Sequence, residues 1–322
     1  MPVRFVVATA VSLVIGSTLA ACTPEPKLSV AVSVGRAVAR PVLSAFSHKT
    51  GTSIDFHRIE PEGQLPDQFD VLWSNDPAVT LELARAGQLA HLPADVLASR
   101  EARYVDSGGT WIAVTADVRV IIYDPKRVDE DDTPTHFEDL LDARWATQVA
   151  LARPIHLSPA WHAATLFAAK GAAPATAFFR DLESAGATFV NSDRDVLKAV
   201  IGDGPPIGVL SGEIAFASRD LGNTLGILIP DQDVEGAVLL PTTIAIHQRA
   251  AESARARQLV QYLMSAPVSR QLALMSSRIA LTRPGKTGIP ALSIGDLKVA
   301  QPTIEETVAQ LNPARRALAN PG

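Results

Sequence analysis

Polar residues cluster at four places where an apolar run gives way to a helical pattern: Ser74-Asn75-Asp76, Ser158-Pro159, Asn191-Ser192 and Ser211-Gly212-Glu213. Residues of these types cap helices, because a side-chain oxygen before the first turn accepts from a backbone N–H two or three residues on. Asp76 fits that role, with Pro77 in the first helical position that proline favours. One such junction needs no further explanation. Several together open a second reading. Each helix start offers unpaired N–H groups and about half a positive charge. Starts that met in one place would suit an anion, or a ligand with anionic or hydroxyl groups. The sequence leaves open whether they meet.

Other candidates lie beside these groups. Ser33 and Arg36 follow the first apolar run. Arg36 is either a solvated helix-start side chain or a charge clamp for an anion. Trp73 continues an apolar strand and reads as core. Trp161 and His162 occupy the turn after Ser158-Pro159; His162 is either a donor to an anion or a satisfied surface histidine, and His156 reads as exposed. Asp231-Gln232-Asp233 reads as a solvated turn, with contact to a cationic ligand as the alternative. Asp129 to Asp132 reads as an exposed loop, since the spacing and glycine of a calcium loop are missing. Asp76 and Glu213 are the carboxylates that could serve a hard cation, so metal binding stays unassigned.

Catalytic signatures are missing. There is no G-x-S-x-G, H-E-x-x-H or Walker A motif, and the seven histidines show no i, i+4 pair. "GDGPPIG" from Gly202 follows a helix and carries two prolines, which fails the dinucleotide context. The expectation is a protein that is not an enzyme and needs no cofactor.

The amino-terminal residues speak to compartment. Arg4 and the apolar "FVVATAVSLVIG" lead to Leu19-Ala20-Ala21-Cys22, which resembles a bacterial lipobox. Residues 1–21 are expected to be a signal peptide, Cys22 the lipidated residue and 22–27 a tether. Cys22 is the single cysteine, so its lipidation leaves no thiol for catalysis, metal or disulfide. Such a chain is anchored in the cell envelope, facing the periplasm or the exterior. A formal charge of −5 without basic clusters argues against nucleic acid. With 47% hydrophobic residues the chain can build a substantial core.

Strands and helices must position these groups, and they alternate. "LSVAVSV", "SIDFHRI", the run at Val71, "TWIAVTADVRVIIYDP", "QVALA", "TFV", "IGVL", "LGILIP" and "GAVLLPTTIAIH" read as strands. Between most of them lie helical patterns, including "ARPVLSAFSHKTG", "SPAWHAATLFAAKG" and "SDRDVLKAVIG". "PTHFEDLLDARW" carries a capping-box pattern from Thr135 to Glu138. The remainder after His247 reads as mainly helical. This alternation implies an α/β fold with mostly parallel sheets.

Several stretches, in order, resemble the extracellular solute-binding proteins of bacterial ABC importers, in the branch typified by ferric-iron binders. "VLSAFSHKTGTSIDF" is similar to the family's helix, K-x-T-G and strand. "DVLWSNDPAVTLELARAGQLAHL" resembles its strand, cleft-leaving helix and G-x-L turn. "WIAVTADVRVIIYDP" resembles its crossover strand, and "PTHFEDLLDARWATQVALARP" its "P-x-S-x-x-D-L-x-D-P-x-W-K-G-x-V" run. "LVQYLMSAPVSRQLA" resembles its late helix pair. The resemblance implies a two-lobed type 2 periplasmic-binding-protein-like fold with hinge strands between lobes. Lobe one is then 28–113 with 243–322, and lobe two 118–240. It further implies a small solute or ion held between the lobes, a membrane ABC permease as partner, and a monomer. The alternative in the same architecture is a lipid-anchored sensor presenting a solute to a membrane receptor. In this setting Ser33, Arg36, Ser74, Asn75, Asp76, Ser158, Trp161, His162, Asn191, Ser192, Ser211 and Glu213 become candidate ligand contacts. Ferric members hold iron with two adjacent tyrosines where this chain has Ser211-Gly212-Glu213, and Asn75 replaces an acidic residue. The favoured ligand is therefore a small organic or phosphorylated anion, ahead of iron(III).

Overall fold

A computed structural model describes residues 27–60, 63–276, 279–281 and 294–319. The expected signal peptide, Cys22 and all but the last residue of the tether lie outside the described residues.

Strand β4 (Trp111–Tyr123) organises the molecule and is buried along all thirteen residues. On one side of it lie β1 (Leu28–Val32), β2 (Ile54–Arg58), β3 (Val71–Ser74) and β9 (Leu239–Ile246), in the order β2-β1-β3-β9-β4. The first three run parallel, while β9 is antiparallel to both β3 and β4. On the other side lie β7 (Ile207–Ser211), β5 (Val149–Ala152) and β6 (Thr188–Val190), mutually parallel, with β7 antiparallel to β4. Two short strands, β8 (Gly226–Leu228) and β10 (Ile279–Ala280), pair with β4 as well.

The helices follow the strands as the alternation predicts. α1 (Arg36–Thr50) buries Val38, Val42, Leu43 and Phe46 and ends at Gly51, whose φ of 72° is the left-handed conformation glycine adopts freely. α2 (Pro77–Arg85) is capped by Asp76, and α3 (Ala94–Leu97) is one turn. α4 (Leu157–Lys170), α5 (Ala172–Ser184), α6 (Asp193–Ile201) and α7 (Gly212–Asp220) belong to the β5–β7 half. α6 lies so close to β7 that a Cβ on Gly208 would meet Val196 at 2.5 Å. α8 (Ala254–Met264), α9 (Ala266–Ser276) and α10 (Ile304–Leu318) close the chain. The expected Thr135–Glu138 capping box does not form. Asp139 instead takes the N–H groups of Thr135 and His136, Glu138 pairs with Lys170, and only a short 3-10 turn follows.

Register decides where the strand ends point. Ser74 at the end of β3 pairs with Thr243, which pairs with Ala113 of β4. Arg119, six residues further along β4, pairs with Ser211 at the end of β7. The carboxyl edges of the two parallel half-sheets therefore face each other across about 20 Å of strand, taking about 3.3 Å per residue. β4 and β9 cross that gap as the two hinge strands of a two-lobed α/β fold. A register shift between Ala113 and Ala116, near Pro241 on β9, breaks the ladder there. Threonine hydroxyls tie the crossing laterally: Thr115 to Thr242 at 2.9 Å and Thr80 to Thr243 at 2.7 Å.

One core gathers Val30, Phe46, Trp73, Ile112, Ile244 and Leu263 around the first half-sheet. The larger one gathers Ile121, Leu140, Phe167, Leu182 and Leu210 around the second. Each fully buried large apolar side chain contributes about 1.5–3 kcal/mol. The larger core also takes in Leu311 and Ala314 of α10, together with Leu81 of α2. α10 packs along α4 and α5 and also touches α2. This departs from the sequence-drawn limits, which gave all of 243–322 to lobe one: the final helix is seated on lobe two and reaches lobe one. Its apolar positions match a helical face buried against α4, a pairing that its place late in the chain does not reveal.

Candidate functional site

The lobe-one edge is a small network of hydroxyls and amides. Ser33 Oγ donates to Asn75 Oδ1 at 2.7 Å and accepts from the Asn75 N–H at 2.8 Å. Ser33 and Ser74 hydroxyls lie 3.2 Å apart, and Ser74 Oγ accepts from the Asp76 N–H at 3.0 Å. Asp76 caps α2 through the Ala78 N–H at 3.0 Å. Burial pushes its carboxyl pKa up, against the lowering effect of that hydrogen bond and of Arg315. Asn75 Oδ1 is taken by Ser33, which leaves Nδ2 as the donor end of that side chain.

The lobe-two edge is built on an ion pair. Arg119 and Asp193 are both buried, and Nη1 meets Oδ2 at 2.6 Å. The same Nη1 donates to Ser158 Oγ at 2.9 Å, and Nη2 donates to the Val209 carbonyl at 3.1 Å. Asp193 Oδ2 also accepts from the Ser211 N–H at 3.1 Å. Thus α4, α6 and α7 begin around one guanidinium. Beside it Asp117 Oδ1 takes the Glu213 N–H at 2.9 Å. Arg119 Nε and Asp193 Oδ1 are buried without a hydrogen-bond partner among the described residues. Buried polar atoms are normally paired, so leaving these two unpaired is a cost that the buried ion pair carries.

Not every helix start is equally available. Asp76 on α2 and Ser192 on α6 spend their oxygens as caps, Ser192 accepting from Asp195 N–H at 3.2 Å. α1, α4 and α7 have no side-chain cap bond, their preceding residues being Gly35, His156 and Ser211. In α7 the Asp117 carboxylate takes the Glu213 N–H instead, so the first turns of α1 and α4 are the ones whose amides can face a ligand.

The structure brings Ser33, Ser74, Asn75 and Asp76 together on one edge and Ser158, Ser192, Ser211 and Glu213 on the other. Arg36 is exposed on the first turn of α1, and Asn191 is exposed at the end of β6. Trp161 and His162 are corrections. The Trp161 indole is 2% exposed and donates to the Leu239 carbonyl at 2.8 Å, which fixes the start of β9. His162 lies between Phe137 and Phe179, with ring centroids 4.3 and 5.9 Å away. Burial, with the Arg119 charge adding, holds its pKa well below the usual histidine value. It is a neutral core residue, neither a surface histidine nor a cleft donor. The Asp231 turn also differs from expectation: Asp231 is buried, accepts from the Phe137 N–H at 3.1 Å, and burial pushes its carboxyl up to about 6.

Arg119, Asp193 and Asp117 are the residues missed. A signal existed. Thr115, Asp117 and Arg119 interrupt the apolar run of β4 at every second position, which puts three polar side chains on one face of a buried strand.

Tyrosines lie elsewhere. Tyr104 is buried near Trp161 and Pro241, where burial pushes its phenol up to about 12. Tyr123 packs against Gly226, and the Tyr262 ring lies tilted against Phe46 with centroids 5.3 Å apart. Among the described residues no group of three or more His, Cys, Asp or Glu side chains could hold a metal ion.

Two α/β lobes whose strand ends face each other across paired hinge strands define a two-lobed binding protein. The chain belongs to the family described as bacterial extracellular solute-binding protein, which residues 80–286 match. Solved structures agree on the fold. Iron-bound HitA from Pseudomonas aeruginosa superposes with a TM-score of 0.80 at 20% identity, over 91% of this chain and 99% of that one. The ferric binding protein from Campylobacter jejuni gives 0.77 at 18%, over 92% and 99%. A Trichodesmium protein in complex with iron and citrate gives 0.75 at 16%, over 92% and 99%. A comparison with curated protein sequences found no match.

Proposed function

We propose that this chain is the substrate-binding lipoprotein of an ABC importer, and that it captures a small organic or phosphorylated anion between its lobes by hinge closure. No covalent chemistry is involved. The observation that carries the reading is the meeting of α4, α6 and α7 at the buried Arg119–Asp193 pair, opposite the Ser33–Asn75 network. The start of α4, which has no side-chain cap bond, supplies N–H donors, and the three starts together supply positive potential for an anion. Asn75 supplies a donor from the other side. A ligand that touches both edges stabilises the closed form, whereas one that touches a single lobe shifts nothing. A permease in the membrane would then read the closed shape, with the lipid on Cys22 keeping the monomer close to it.

Iron(III) is the competing ligand, because several similar structures carry iron or ferric ion in their names. Free ferric ion needs several anionic oxygen ligands; no two of the three tyrosines are adjacent in sequence, and burial pushes the Tyr104 phenol up to about 12. Native mass spectrometry of protein purified from its own host tests the choice. A bound organic or phosphorylated anion is expected, and iron as the sole added mass overturns it. Cys22→Ser should move the chain from the membrane fraction to the soluble one.

A further inference from the structure

The C-terminal helix lies beyond the family match, which ends at residue 286, yet it brings a charged group to the gap. α10 runs antiparallel to α4. Thr303, Ile304 and Thr307 at its start line a small cavity with Trp161 and Thr165. Ala317 and Leu318 near its end line another with Arg153 and Pro154, just ahead of α4. Its last turns therefore lie beside the first turn of α4, on the facing edge of lobe two. The same helix packs against α2, whose start is the facing edge of lobe one. Arg315 is near enough to Asp76 for its charge to favour the Asp76 carboxylate.

Arg315 thus stands at the flank of the gap, between the helix that begins at Leu157 and the helix that Asp76 caps. It is half-buried, and its Nε is enclosed with no hydrogen-bond partner among the described residues. Arg119 is in a different position, with Nη1 committed to Asp193 and Ser158 and Nη2 to Val209. Arg36 is exposed on α1. A guanidinium presents a planar fork of donors that matches a carboxylate or a phosphate.

We propose that Arg315 is the cationic contact for the ligand's anionic group, delivered by the C-terminal helix to the side of the cleft. The proposal rests on the anion reading above and makes a carboxylate or phosphate on the ligand its recognised feature. The helix that carries the charge is anchored on lobe two, while the neighbouring carboxylate belongs to lobe one. A bound anion therefore engages the guanidinium at the junction of both lobes.

The test is calorimetric titration of the intact chain with citrate, inorganic phosphate and a set of sugar phosphates, using wild type, Arg315→Gln, Arg315→Lys and the exposed neighbour Arg316→Gln. Arg315→Gln should weaken the anion that wild type binds by about tenfold or more, the usual consequence of losing a charge-assisted contact. Arg315→Lys, which keeps the charge without the fork, should fall between, and Arg316→Gln should match wild type. The unliganded unfolding midpoints of the two glutamine variants should agree. Arg315→Gln binding as tightly as wild type overturns the assignment of Arg315 and leaves the anion reading standing. If Arg315→Gln fails to fold, Arg315→Lys at full wild-type affinity overturns the assignment instead. Wild type that binds none of these anions overturns the anion reading, and the assignment with it.

Discussion

The two facing edges solve one problem with different materials. Lobe one uses short, mostly neutral groups close in sequence, Ser74 to Asp76, plus Ser33 from the neighbouring strand. Several of its hydrogen bonds are helix-start bonds that a solvated loop would also make. Lobe two uses one buried ion pair between residues 74 apart, and three helix starts depend on it. A buried pair adds little net stability, since desolvation offsets attraction, but losing one partner leaves an uncompensated charge. Lobe one's edge is therefore tolerant of change, whereas lobe two's edge hangs on long-range contacts that centre on one buried pair. Lobe two is the preorganised half, and ligand-driven closure brings the adaptable half to it.

The sharpest way to break this contrast is Arg119→Met. It leaves Asp193 buried without its partner and should cost about 3–5 kcal/mol in urea unfolding. Arg119→Met with Asp193→Leu should regain much of that stability without regaining anion binding. A loss under about 1 kcal/mol for the single variant would make lobe two as tolerant as lobe one, given that exposed pairs are worth that little. A smaller effect sharpens the comparison within lobe two. Ser192→Ala removes an N-cap bond and should cost about 1 kcal/mol. Ser211→Ala should cost less, because the Ser211 side chain makes no cap bond. Reversal of that order would mean that Ser211, not Ser192, anchors the edge.

The same contrast explains what the sequence disclosed. Asp76 with Pro77, Ser192 before α6 and Gly51 after α1 act on backbone within a turn of themselves, so residue type alone reveals them. The crossing strand was legible as a long apolar run, and its bounds agree with β4. The resemblance to solute-binding proteins supplied the two lobes. The Arg119–Asp193 pair was not legible as a pair, because nothing local joins a strand residue to a helix residue 74 positions on. Its strand half was nonetheless visible in the alternation of Thr115, Asp117 and Arg119. Trp161 and His162 were misplaced for a related reason. The first turn of a helix has an inner and an outer face, and only the packing of Phe137, Phe179 and the Leu239 carbonyl shows that both side chains point inward. α10 was legible as a helix, but not as a partner of α4.

Lobe one's edge should respond weakly, and its response should depend on pH. Burial raises the Asp76 pKa above its ordinary 3.8, so the folded chain holds that proton more tightly than the unfolded one. The stability linked to this group is therefore full below 3.8 and falls as pH rises through the raised value. Asp76→Asn keeps an oxygen for the Ala78 N–H and removes the buried charge. It should match or exceed wild type in unfolding midpoint at neutral pH and lose that advantage in acid. A variant less stable at neutral pH than in acid, relative to wild type, would show that attraction to Arg315 outweighs burial.

The smallest expected change in stability comes from Asn75→Ala, and it carries the most information about binding. The substitution deletes the acceptor of Ser33, but Ser33 keeps its contacts with the Ser74 hydroxyl and with the backbone N–H of residue 75. The stability cost should stay under about 1 kcal/mol, the net worth of one partly exposed hydrogen bond. The Nδ2 donor that the proposed function assigns to the ligand has no such substitute, so anion affinity should fall by about tenfold, as for loss of a direct hydrogen bond to a charged group. Thermal unfolding with and without citrate or phosphate separates the two quantities. If binding and stability fall together, Asn75 is a structural residue of the β1–β3 junction. If binding alone falls, the tolerant edge is tolerant because its role is to meet the ligand rather than to hold the fold.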